Sequence, residues 1–229
     1  MPLFKKIIVL IYGILYAGLL CAQQNNAYQF AHIDFTQGLS HNQVNCMFKD
    51  QRGFIWFGTM SGLNRYDGYN IKIFRHAEND SASISDDLVT NILEGPGRKL
   101  WIQTGLGFSI YDPQTEKFDN NTTAVLSKLG IPAYGLNDIV KSGKGYWYIY
   151  ADSGMYYIEN NKKILSLKAG TNNLYPNTKA ITDVKTDSKG NLWIAHLNGL
   201  LEQVEPLNGK VMKRISALPS LTINAYIGY

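Results

Sequence analysis

Four histidines (His32, His41, His76, His196) and four acids (Asp50, Asp67, Asp112, Asp187) are the side chains in this 229-residue sequence that most invite a chemical role. A zinc site needs three or four His, Cys or acidic ligands converging on one point. The histidines fall at different phases of the chain, with no H-x-x-x-H and no C-x-x-C among them. Paired carboxylates could act as general acid and base. These acids recur at turns, however, where a carboxylate bonds back to its own backbone. The run "GTMSGLNRYDG" lacks the G-x-x-x-x-G-K-[ST] phosphate loop, and no G-x-S-x-G elbow occurs. No catalytic residue, metal ligand set or cofactor is expected.

The elements that carry these residues repeat. "DQRGFIWFGTMSGLNRYDG", residues 50–68, holds the first of four tryptophans: Trp56, Trp101, Trp147 and Trp193. They are 45, 46 and 46 residues apart. Gly62, Gly107, Gly154 and Gly199 follow them by six, six, seven and six residues, and each glycine is followed by a bulky apolar residue. Self-similarity at this period marks a repeat architecture. The eight Trp and Gly positions are therefore expected to be structural.

Each unit reads as an apolar strand, a polar turn, the Trp strand, the glycine bend, a third strand ending near an acid, then a turn and a fourth strand. Four short antiparallel strands per unit are the form of a β-propeller blade. A blade cannot bury both faces alone, so neighbours must stack on it. The expected fold is all-β, with repeats over about 39–80, 84–120, 135–170 and 178–215 and the start of a fifth at 216–229. Residues 122–130 are the one place where a helical turn fits. Residues 28–40, "YQFAHIDFTQGLS", read as a lone strand that would close a ring. Such a chain would end as an incomplete propeller, an open arc with sticky ends.

Composition agrees with a folded β protein: 17% charged, 45% hydrophobic and 15 tyrosines. Residues 1–22 read as a signal peptide. Lys5 and Lys6 precede a 14-residue apolar run, shorter than the roughly 20 residues that span a bilayer. Residues 23–229 are then a partial β-propeller, expected to be exported to the periplasm. A lipid-anchored Cys21 is the weaker alternative, because Leu20 precedes it where a small residue is usual. Without Lys5 and Lys6 the net charge falls from +4 to +2, too little to argue for nucleic-acid binding. Cys46 then remains as the single cysteine, expected to be a buried thiol. Tyr69, Tyr134 and Tyr175 are aromatic loop residues that could stack on a sugar, although packing on strands is the commoner fate.

The segment "GLSHNQVNCMFKDQRGFIWFGTMSGLNRYDGYNIKIFRH" closely resembles the opening of the periplasmic sensor region of Bacteroidetes hybrid two-component systems. "DSKGNLWIAHLNGL" resembles the same two-component regulator propeller repeat, and "SGKGYWYIYADSGMYY" departs from it. The resemblance implies a sensor for glycan-derived oligosaccharides, whose propellers precede a membrane helix, a histidine kinase, a receiver and a DNA-binding domain. It implies as partners an oligosaccharide, the downstream blades and kinase domains, and a homodimer. No kinase motif stands in these 229 residues, so the segment itself is expected not to be an enzyme. The alternative is an exported propeller enzyme similar to streptogramin lyases, which would need a metal-assisted His and Glu pair at one face of a closed ring.

Overall fold

The computed structural model describes residues 32–150, 154–167, 181–206 and 208–216. Two units divide the chain, Met1–Ile33 and Asp34–Tyr229. The signal-peptide segment, Tyr175 and the expected fifth strand lie outside the described residues.

The second unit is built from four antiparallel meanders. Sheet one holds β1 (Val44–Lys49), β2 (Ile55–Thr59), β3 (Gly62–Tyr66) and β4 (Ile71–Phe74). Sheet two holds β5 (Val89–Glu94), β6 (Leu100–Thr104), β7 (Gly107–Asp112) and β8 (Lys117–Asp119). Sheet three holds β9 (Asp138–Ser142), β10 (Gly145–Tyr150), β11 (Gly154–Glu159) and β12 (Lys162–Leu167). Sheet four holds β13 (Ile181–Thr186), β14 (Leu192–His196), β15 (Leu200–Val204) and β16 (Val211–Ser216). The strand order within each sheet is the chain order. The first strands of successive sheets contact one another: β1 with β5, β5 with β9, and β9 with β13. They are thus the innermost strands of propeller blades, and the four described blades do not close into a ring.

Alternation along the strands aims one apolar set from each sheet at the next. Trp56 and Leu63 meet Val89, Leu100, Ile102 and Tyr111 of sheet two. Trp101 and Ile110 meet Ile139, Tyr148 and Tyr156 of sheet three. Trp147, Met155 and Tyr157 meet Val184, Leu192 and Ile194 of sheet four. Trp56, Trp101 and Trp147 are 0%, 2% and 0% exposed. Trp193 is only half-buried. It lies on the corresponding face of sheet four, and among the described residues no further sheet covers that face.

Two segments differ from a plain strand reading. α1 (Thr122–Lys128) is a helix capped by Asn121, whose side chain accepts from Ala124 N. Its Leu126 joins the core between sheets two and three. The described part of the expected lone strand is no strand. Phe35–Gln37 form a 3-10 turn closed by a capping box, with Asp34 accepting from Thr36 N and the Gln37 side chain accepting from Asp34 N. Local side-chain acceptors there outcompete strand pairing.

Candidate ligand-binding site

The repeated Trp is set by its turn. Asp50 accepts hydrogen bonds from Arg52 N, Phe54 N and Trp56 Nε1, the last at 3.0 Å. Asp187 repeats this with Lys189 N, Asn191 N and Trp193 Nε1, the last at 3.2 Å. The bonds from Asn191 and Trp193 hold the Asp187 carboxyl down at about 2. At the matching register sheet two has Gly95, where any Cβ would collide with the Trp101 indole. Sheet three has Ser142, whose hydroxyl donates instead to Gly190 O. Trp147 Nε1 is buried with no partner among the described residues. Asp67 and Asp112 likewise accept from backbone N–H groups in their turns.

Gly62, Gly107 and Gly154 open their third strands, with φ of +126°, +116° and +138°. Gly199 stands one residue before β15, with φ of +78°. At Gly62 the reason for glycine is doubled: a Cβ would also lie 2.7 Å from Phe74 O.

Beneath these bends lies a second repeated device that sequence reasoning missed. In sheet one, Ser40 Oγ lies 2.8 Å from Thr59 Oγ1 and accepts from Asn64 Nδ2. In sheet two, Ser85 Oγ lies 3.0 Å from Thr104 Oγ1 and 2.8 Å from Ser109 Oγ. Ser40 and Ser85, 45 residues apart, each stand four residues before a first strand, a spacing that could have revealed them. In sheet four the corresponding place holds ionisable side chains: His196 Nε2 lies 3.0 Å from Glu202 Oε2, and Arg214 Nε donates to Glu202 Oε1 at 2.7 Å. The His196 and Glu202 side chains are 1% and 0% exposed. They are sealed inside the blade.

His41 and His76 serve local structure. His41 Nδ1 accepts from Gln43 N, and His76 Nδ1 lies 2.9 Å from Ile84 O. Cys46 is half-buried, and burial pushes its thiol up to about 11, away from the reactive range. Tyr69 and Tyr134 are exposed. Glu116 bridges sheets one and two through Arg65 at 2.6 Å and through Lys72, and these partners hold its carboxyl at about 2.

Two hollows could receive a ligand. One, of about 140 Å³, lies among the turns of Asp50–Arg52, Gly97–Arg98 and Pro113–Gln114. It is spanned by a bond from Gln51 Nε2 to Glu94 Oε1. The other, of about 630 Å³, runs along the innermost strands. There β1, β5 and β13 each break register at one place, after Val44, Val89 and Ile181. Such a bulge re-aims side chains. Asn91 and Asp183 stand at two of these bulges, and Asp138 at the matching point of β9. Each Oδ1 accepts from the next backbone N–H: Ile92, Val184 and Ile139. Burial raises the Asp138 carboxyl above its ordinary value, with Ile139 N–H and Lys185 opposing and Asp183 adding to the rise.

Comparison with known proteins agrees with this architecture. Residues 38–61 match the family model described as "Two component regulator propeller". A 62-residue stretch is 40% identical to histidine kinase P4 of Formosa agariphila, covering 27% of this chain and 4% of that protein. The extracellular domain of the hybrid two component system BT3049 from B. thetaiotaomicron superposes with a TM-score of 0.58 at 24% identity, over 81% of this chain and 26% of that one. That of BT4673 from the same organism gives 0.55 at 23% identity, over 84% and 23%. These structural likenesses establish the fold. The protein is thus a β-propeller repeat protein whose described residues form blades rather than a kinase domain. Residues 38–61, which include Trp56, carry the two-component regulator propeller repeat. The chain spans a small part of the curated relative and about a quarter of these two solved domains.

Proposed function

We propose that this chain is part of the extracytoplasmic sensor of a hybrid two-component regulator, and that its signal is an oligosaccharide released from a larger glycan. The observation that carries the reading is the regulator-propeller repeat at 38–61, in a chain whose blades share the fold of extracellular domains of hybrid two component systems. Export by residues 1–22 places the blades in the periplasm. Ligand binding is the contribution of these residues, and phosphoryl transfer and DNA binding reside outside them.

The test combines location and binding. Tagged protein from a Gram-negative host is fractionated, and purified protein is titrated calorimetrically with oligosaccharide pools from glycanase digests. Recovery in the periplasmic fraction and saturable binding are expected. Cytoplasmic retention, or no binding to any pool, contradicts the reading.

A further inference from the structure

The larger hollow has a chemistry of its own, and its wall is built by repetition. Asn91, Asp138 and Asp183 occupy one register on the innermost strands of three consecutive blades and line it together. The backbone and hydroxyl donors beside them are already committed within the protein. Ile92, Ile139 and Val184 give their N–H groups to these three side chains. Thr182 gives its hydroxyl proton to Ala195 O at 3.1 Å. Lys185 Nζ donates to Asp183 Oδ1 at 2.6 Å and offsets that carboxylate. The carboxylates of Asp138 and Asp183 only accept, so a ligand that pairs with them must bring donors. Met47, 68% exposed, and Ile181 add apolar surface to the same wall. A ligand with hydroxyl donors on its edge and C–H groups on its face suits such a lining. The volume of about 630 Å³ falls within the roughly 300–1,000 Å³ of small-molecule sites, and the smaller hollow falls below it. An anionic ligand would meet the Asp138 and Asp183 carboxylates and be repelled.

We propose that the innermost strands β5, β9 and β13 form a binding site for an uncharged, hydroxyl-rich ligand of sugar type, with Asn91, Asp138 and Asp183 accepting its hydroxyl hydrogens. The assignment rests on the oligosaccharide-sensor reading and adds to it both a place and a charge preference.

The test uses the full chain with two probes, the neutral and the acidic fractions of one glycanase digest separated by anion exchange. Calorimetry is run on the natural protein, on Asp138→Ala, on Asp183→Ala and on Arg98→Ala at the other hollow. Thermal melts establish that each variant is folded. If Asp138→Ala melts early, Asp183→Ala carries the same expectation. The natural protein and Arg98→Ala should bind the neutral fraction alike, and the Asp138 variant should bind it about tenfold more weakly or worse. Binding that prefers the acidic fraction, or that stays within about twofold in the Asp138 and Asp183 variants, overturns the site while leaving the sensor reading intact. Failure of both fractions to bind the natural protein overturns the sensor reading itself, and the site with it.

Discussion

Trp56 Nε1 donates a 3.0 Å hydrogen bond to Asp50 Oδ2 across the turn that joins β1 to β2. The indole fills the gap between sheets one and two while its polar edge is satisfied by the turn before it. One short segment therefore fixes a hairpin and a blade interface together, and the same relation recurs between Asp187 and Trp193. Removing the carboxylate leaves a buried N–H unpaired and frees two turn amides. Asp50→Ala is expected to cost about 1–3 kcal/mol, and Trp56→Ala about 3–5 kcal/mol. Urea unfolding monitored by circular dichroism measures both. A loss at Trp56 no larger than at exposed Lys49 would contradict the packing described.

Gly62→Ala should lower the melting temperature more than Gly53→Ala. Both glycines have positive φ, but a Cβ at Gly62 also meets Phe74 O, whereas nothing lies within 4 Å of one at Gly53. The expected difference is about 1 kcal/mol or more. Differential scanning calorimetry on the two variants decides it, and equal losses would show that the close approach is unimportant.

Acid should weaken the interface between sheets one and two. Glu116 falls from an ordinary 4.5 to about 2 beside Lys72 and Arg65. A carboxyl whose folded value is depressed stabilises fully above its unfolded value, and this contribution is lost as pH falls through the folded one. The natural protein and Glu116→Gln should therefore differ in melting temperature at pH 6 and converge between about pH 4 and pH 2. Asp187, also lowered to about 2, acts in the same window within sheet four. A gap that persists unchanged at pH 2 would contradict the ion-pair account.

No phosphate transfer is expected from these blades. Purified protein incubated with radiolabelled ATP should stay unlabelled, and stoichiometric labelling of any histidine would overturn that expectation.

The blades were legible because Trp and Gly recur at a period that only stacked units produce. Trp56, Trp101, Trp147 and Trp193 stand on the second strands β2, β6, β10 and β14. The binding wall was not legible. Asn91, Asp138 and Asp183 look like ordinary polar residues in short strands, and only the pairing of β5, β9 and β13 with their second strands shows that they share one register. The His196–Glu202–Arg214 group was hidden for a related reason. It fills with ionisable side chains the place that Ser40–Thr59 and Ser85–Thr104 hold in sheets one and two, so residue type does not repeat there. The turn at Phe35–Gln37 had a readable signal, Asp34 followed three residues on by Gln37, which the alternation of apolar residues around it obscured.

Hydrogen exchange read by mass spectrometry, with and without a neutral oligosaccharide fraction, tests the central claim most directly. The account predicts slowed exchange in peptides covering β5, β9 and β13, with β4, β8, β12 and β16 at the blade edges unchanged. Slowed exchange confined to the turns around Arg52 and Arg98, or no change anywhere at saturating sugar, would contradict it.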